Sequence, residues 1–159
     1  MTRRFVALGL LVGGVALALA GAAQAGEAQS IQASAAWIRV LPGNLPAGGY
    51  VNLHNSGNQA AALVAADSPA YAHVMLHESS SAGGVSRMSA VGSMVIPAHA
   101  GMQLAPGGYH LMLMQPKRPV APGQAVTVTL HFADGSRLPV QFAARPANAL
   151  DAGDSGAMH

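Results

Sequence analysis

A turn and an alternating strand follow one another in Leu104-Ala105-Pro106-Gly107-Gly108-Tyr109-His110-Leu111-Met112-Leu113-Met114. Residues 105–108 have the composition of a turn. Because side chains two apart in a strand point to the same face, Tyr109, Leu111 and Leu113 form an apolar and aromatic face that we expect in the core. His110, Met112 and Met114 share the opposite face, which therefore carries side chains that can bind a metal.

Short extended segments of this kind recur along the chain, with Gly and Pro between them and no convincing helical period. We expect strands at residues 31–40, 48–54, 60–66, 71–78, 85–89, 93–96, 101–104, 109–114, 126–130 and 138–142. Residues 133–136 should close a hairpin between the last two. The pattern predicts an all-β sandwich or barrel.

The first 25 residues have the layout of a secretory signal peptide. Arg3-Arg4 precede an apolar run from Phe5 to Leu19, and Ala23-Gln24-Ala25 offers a cleavage site. The apolar run is the only good helix candidate and is too short for a comfortable membrane span. An uncleaved anchor is the alternative, and the arginine pair leaves Sec and twin-arginine export both open. We expect one domain at residues 26–143 and a short mobile tail at residues 144–159.

Charge and cysteine content exclude several classes of function. The formal charge of +2 comes from Arg3 and Arg4, so the exported chain is neutral and nucleic-acid binding has no support. The sequence contains no cysteine. Disulfides, blue-copper centres, cysteine-based zinc sites and iron–sulfur clusters are therefore excluded.

Six of the eight methionines and four of the seven histidines lie between His73 and Met114. If residues 79–84 form a six-residue turn between the strands at 71–78 and 85–89, His77 lies opposite Ser86. Met88 is then a diagonal neighbour of His77 on the same face, about 7–8 Å away at Cα. A shift of one residue would move Met88 to the other face.

His77, Met88, His110 and Met112 are therefore the predicted ligands of a metal site. Thioether sulfur is a soft neutral ligand that selects Cu(I), and imidazole is a stronger neutral donor. Packing in the core accounts better for Met94 and Met102. His73, Met75 and Met114 are possible auxiliary or supporting residues, whereas we expect surface or satisfied positions for three others: His54, His99 and His131.

The same residues resemble the periplasmic Cu(A) chaperone (PCuAC-like) family. Its pattern is His, ten residues, Met, twenty-one residues, then His-x-Met, and it falls on His77, Met88, His110 and Met112 without a gap. The flanks Gly83-Gly84-Val85 and Leu104 to Tyr109 fit as well. The resemblance extends from about Ala36 to Phe142. A motif at fixed spacing within matching flanks is a specific signal.

The resemblance implies a cupredoxin-like Greek-key β-sandwich that binds one Cu(I) per chain near its surface. It also implies a copper chaperone that delivers copper in the periplasm, for assembly of the cytochrome c oxidase Cu(A) centre or for copper homeostasis. We expect a monomer with no enzymatic activity. The partner would be a copper-accepting protein, such as the Cu(A) domain of cytochrome c oxidase or another copper chaperone. Some members carry a His- and Met-rich C-terminal extension, but this chain ends only in Met158-His159. Residue 78 is Glu where some relatives have Met.

Two other classes of function remain open. A copper enzyme of the histidine-brace type would need an N-terminal histidine, but the predicted mature chain begins with Gly26-Glu27. A His-rich dismutating site would need more than two converging imidazoles. A metal-free or weakly copper-binding sandwich that acts in adhesion or assembly is the third hypothesis, because fold does not fix function.

Overall fold

The computed structural model describes residues 26–152. Its elements are α1 (Glu27–Ser30), β1 (Ile31–Arg39), β2 (Ala47–Asn55), β3 (Ala61–Asp67), β4 (Tyr71–Ala82), β5 (Val85–Ala90), β6 (Met94–Ile96), β7 (Gly101–Leu104), β8 (Tyr109–Pro116), β9 (Ala125–Phe132) and β10 (Arg137–Arg145). The all-β prediction is therefore confirmed, and each of the ten expected strands is present with small differences at its ends.

The strands form a β-sandwich from one continuous path of hydrogen-bonded neighbours, in the order β5-β4-β8-β2-β1-β10-β9-β3-β6, with β7 added to β2. β1 and β10 pair in parallel, and the other pairs are antiparallel. Alternate residues of the strands point to the inside of the sandwich and form one core. This core includes Leu111 and Leu113 of β8 and Val128 and Phe132 of β9. This packing confirms the predicted core face of β8.

The hairpin between β4 and β5 corrects the predicted turn. Its connection is the two-residue turn Gly83-Gly84, with Ala82 opposite Val85, so the six-residue turn at residues 79–84 is wrong. Both glycines have positive φ, 58° and 75°, as a type I′ turn requires. His77 lies opposite Ala90 rather than Ser86, and Met88 lies opposite Ser79. Because the register differs by four residues, an even number, Met88 keeps the face that was predicted for it.

Two further expectations are corrected at the ends of the domain. α1 was not predicted, because four residues carry no helical period; its first backbone N–H groups bond to the Asp134 carboxylate and the Ser136 hydroxyl. The mobile tail does not begin at residue 144. β10 continues to Arg145, Ala144 is fully buried, and Ala149 packs on Trp37 and Tyr50.

The predicted signal peptide at residues 1–25 lies outside the described residues, as do residues 153–159. Within residues 26–152, no helix has the length and apolar character needed to cross a membrane.

Candidate metal centre

Three cross-strand pairs bring six potential donors together on the outer face of β4 and β8. His77 lies opposite His110, Met75 opposite Met112, and His73 opposite Met114. Val74, Leu76, Leu111 and Leu113, which alternate with them, pack in or against the core. We call the six residues of these three pairs the donor face. Residues directly opposite in antiparallel strands have Cβ atoms about 4.5–5.5 Å apart, so each pair can share one small ion.

His77 and His110 form the most enclosed part of the donor face. Their ring centroids are 5.8 Å apart with an edge-to-face arrangement. Both ring nitrogens of His77 and Nε2 of His110 are buried without a hydrogen-bond partner. Buried polar atoms are nearly always paired, since each orphan costs about 1–3 kcal/mol. Each neutral ring has one lone pair, so the orphaned nitrogens present two lone pairs at one place, one from His77 and one from His110, and indicate a ligand that accepts them.

The backbone fixes which nitrogen of His110 faces the site. Nδ1 of His110 lies 3.0 Å from the carbonyl oxygen of Gly108. Because a carbonyl can only accept, the neutral ring carries its proton on Nδ1 and leaves the lone pair on Nε2. A histidine that binds a metal is usually held in this way, with the second nitrogen donating to a carbonyl or carboxylate.

Burial, together with the neighbouring His110, lowers the pKa of His77 below its ordinary value. Both causes disfavour the protonated ring. His77 is therefore held in the neutral form that can coordinate a metal.

The two predicted thioethers lie on opposite sides of the histidine pair. Met112 is two residues from His110 on the same face and diagonal to His77. Met88 is diagonal to His77 on the other side, beside Ser79, and is 53% exposed. Measured along β4, the positions beside Met112 and Met88 are four residues apart, about 13 Å in an extended strand. The structure thus brings His77, His110 and Met112 together directly and leaves Met88 at the base of an exposed hairpin.

An aromatic layer borders the site on β1 and β2. The Tyr50 ring lies 6.5 Å from the His110 ring and 4.6 Å from the Trp37 ring. The guanidinium of Arg39 stacks over both aromatic rings, at 5.3 and 5.5 Å, and Nε donates to the Ala149 carbonyl. A β-bulge between Ser34 and Trp37 brings Trp37 opposite Tyr50. This layer supports the back of His110 and shields that side from water.

The aromatic layer was not predicted from the sequence, although a signal for it was present. Trp37-x-Arg39 and Gly48-x-Tyr50 each place two residues on one strand face. What the sequence lacks is the long-range register that sets β2 beside β8 and joins these faces to His110.

Five further methionines and histidines lie at the positions predicted for them. Met94 is buried in the core, and Met102 packs against it. His54 is exposed, the His99 ring bonds to the Asn58 side chain, and His131 pairs with the Asp67 carboxylate.

The chemistry of the donor face selects among metals. Between residues 26 and 152, no group of three or more His, Cys, Asp or Glu side chains is placed to hold a metal ion. The donors that do converge are neutral imidazoles and thioethers. Such a set suits a soft ion of low charge and disfavours hard cations, which prefer oxygen ligands.

The family described as "Putative lipoprotein LpqE-like" matches residues 31–144. The chain belongs to this family. It is also 38% identical over 115 residues to "Putative lipoprotein Lxx21020" of Leifsonia xyli subsp. xyli, an alignment that covers 72% of this chain and 69% of the relative.

Solved structures share the sandwich. CuI-DR1885 from Deinococcus radiodurans, a solution structure, is 31% identical with a TM-score of 0.60 and is matched over 82% of this chain and 85% of its own. The copper-bound PCuAC domain from PmoF2 has a TM-score of 0.61 at 22% identity, over 72% of this chain and 92% of its own. The fold of this LpqE-like chain is therefore that of PCuAC domains.

Proposed function

We propose that the protein is a copper carrier that binds one Cu(I) through His77, His110, Met112 and Met88 and passes it to an acceptor. The observation that carries this proposal is the set of buried, unpaired nitrogens of His77 and His110 beside Met112. Two similar proteins, CuI-DR1885 and the PCuAC domain of PmoF2, are described as copper-bound. Their copper supports the choice of metal.

The donor set suits transport better than permanent storage. It is neutral and holds no thiolate, so Cu(I) keeps its single positive charge and the ligands can be exchanged one at a time. Among the four proposed ligands, Met88 is the one that moves. It lies on β5, whose residues are all exposed, so the hairpin can bring its sulfur to the copper held by His77, His110 and Met112.

We propose a copper-accepting protein as the partner, such as the Cu(A) domain of cytochrome c oxidase or another copper chaperone. We also propose that the chain is exported and acts in the periplasm, which agrees with the description of its family as lipoproteins.

An anaerobic competition titration with a chromogenic Cu(I) chelator tests the proposal. The protein should withdraw one equivalent of Cu(I), and the variant His77→Ala/His110→Ala should lose that equivalent. A His99→Ala/Met94→Leu variant removes an imidazole and a thioether elsewhere and should keep it. Undiminished binding by the His77/His110 variant would refute the assignment, and no binding by the unaltered protein would favour a metal-free interaction module.

A further inference from the structure

The donor face contains more ligands than one Cu(I) needs. His77, His110 and Met112 of β4 and β8 hold the first ion in the proposed site. Three donors at the other end of the donor face are then unused: His73, Met75 and Met114. They lie on the same two strands and the same outer face. The proposed four-ligand site leaves all three without a role.

The unused donors repeat the arrangement of the first site. An antiparallel pair has a local two-fold axis between opposite residues, here between Met75 and Met112. That axis carries His77 onto Met114, His110 onto His73, and Met112 onto Met75. Each set therefore consists of one directly opposite pair and one diagonal methionine about 7–8 Å away at Cα. The backbone geometry that brings the first three donors together brings the second three together as well.

We propose that His73, Met75 and Met114 form a second, weaker Cu(I) position next to the first. The choice of Cu(I) rests on the proposed function; the convergence of the donors rests on the register of β4 and β8. Two thioethers and one imidazole form a soft, neutral set that selects Cu(I) over harder ions.

Two features make the second position weaker than the first. It has one imidazole where the first has two. His73 and Met75 are exposed, and Met75 is 42% exposed, so water competes for the ion. Lys117 and Asp67 both line the same shallow depression as His73 and Met75, so the charges beside the position are of opposite sign. An exposed position of lower affinity is where arriving or departing copper can be held for a short time.

The experiment is an anaerobic Cu(I) titration of the full chain beyond one equivalent, with chelators of graded affinity. The unaltered protein should take up one tight equivalent and a second one at least tenfold weaker. His73→Ala/Met114→Leu should lose only the second, and His99→Ala/Met94→Leu should lose neither. With ¹³C-methyl-labelled methionine, the second equivalent should shift the Met75 and Met114 methyl signals.

The failures of the two proposals can be distinguished. Saturation of the unaltered protein at one equivalent that depends on His77 and His110 would overturn the second position and leave the carrier function intact. A second equivalent that survives in the His73/Met114 variant would also overturn it. Failure of the unaltered protein to bind one equivalent of Cu(I) tightly would refute the carrier function.

Discussion

His77 of β4 and His110 of β8 lie directly opposite each other, with ring centroids 5.8 Å apart and three of their four ring nitrogens buried without a hydrogen-bond partner. This arrangement costs stability in the metal-free protein, because buried nitrogens have left water without compensation. A soft cation between the rings supplies the missing interaction for two lone pairs, one on each neutral ring. The pairing of His77 with His110 therefore explains both the lost stability of the metal-free protein and the proposed binding of Cu(I).

His77→Leu should stabilise the metal-free protein and abolish its response to copper. The change removes two orphaned buried nitrogens, so we expect the free energy of unfolding to rise by about 1 kcal/mol. Thermal unfolding followed by circular dichroism, with and without one equivalent of Cu(I), measures both effects. His54→Leu, at an exposed histidine, is the matched control and should change neither. A large loss of stability in His77→Leu would show that the imidazole has a structural role.

Met112→Leu should weaken Cu(I) binding more than Met88→Leu. Met112 is adjacent to His110 on the donor face, whereas Met88 must be brought in by an exposed hairpin. We expect at least a tenfold loss for Met112→Leu, a smaller loss for Met88→Leu, and the greatest loss for the double variant. Competition titration against a chelator measures the three affinities, and Met94→Leu is the control. Equal affinity of the double variant and the unaltered protein would exclude both thioethers as ligands.

Acidification should weaken Cu(I) binding and also destabilise the metal-free protein. Burial lowers the pKa of His77 in the folded state, so the unfolded chain binds this proton more readily. Protonation of His77 therefore leaves stability unchanged above the ordinary histidine pKa of about 6.5 and destabilises the folded protein as the pH falls through the lowered folded pKa. Denaturant unfolding of the metal-free protein from pH 8 to pH 5 measures this decline, which His77→Leu should reduce. A decline of the same size in that variant would assign it to other groups.

Gly48→Ala should disturb the aromatic layer behind His110. A Cβ atom at residue 48 would lie 2.5 Å from the Tyr50 hydroxyl, and the Tyr50 ring is stacked on Trp37. Displacement of a packed ring costs about 1–3 kcal/mol, so the melting temperature should fall. Gly92→Ala is the control, because a Cβ atom there meets nothing within 4 Å. Equal stability of the two variants would show that Tyr50 moves freely and does not support the site.

The fold class was predictable because local sequence patterns indicate where the strands lie and which of their faces are buried. Gly and Pro separate the strands, and alternation in residues such as Tyr109 to Met114 identifies the core face. The predicted strand face of Met88 was also correct although the predicted turn was wrong, because the error in the register of β4 and β5 was an even number of residues. The turn itself was missed because Ser79-Ser80-Ser81-Ala82 has the composition of a loop, whereas pairing with β5 makes it a strand.

The layout of the site was less predictable, because it depends on pairing between distant segments. Nothing local to His77 indicates that His110 rather than Met112 lies opposite it. The same limit applies to Tyr50, which approaches His110 only because β2 lies beside β8. Composition suggested a mobile tail from residue 144, but Ala149 is buried against Trp37 and Tyr50.

X-ray absorption spectroscopy of the protein loaded anaerobically with one equivalent of Cu(I) tests the central claim most directly. The proposed ligands predict a copper site with two nitrogen neighbours from His77 and His110 and with sulfur neighbours from methionine. The sulfur contribution should fall in Met88→Leu/Met112→Leu and persist in Met94→Leu. A copper environment made only of nitrogen and oxygen, or one that is unchanged by the Met88/Met112 substitutions, would contradict it.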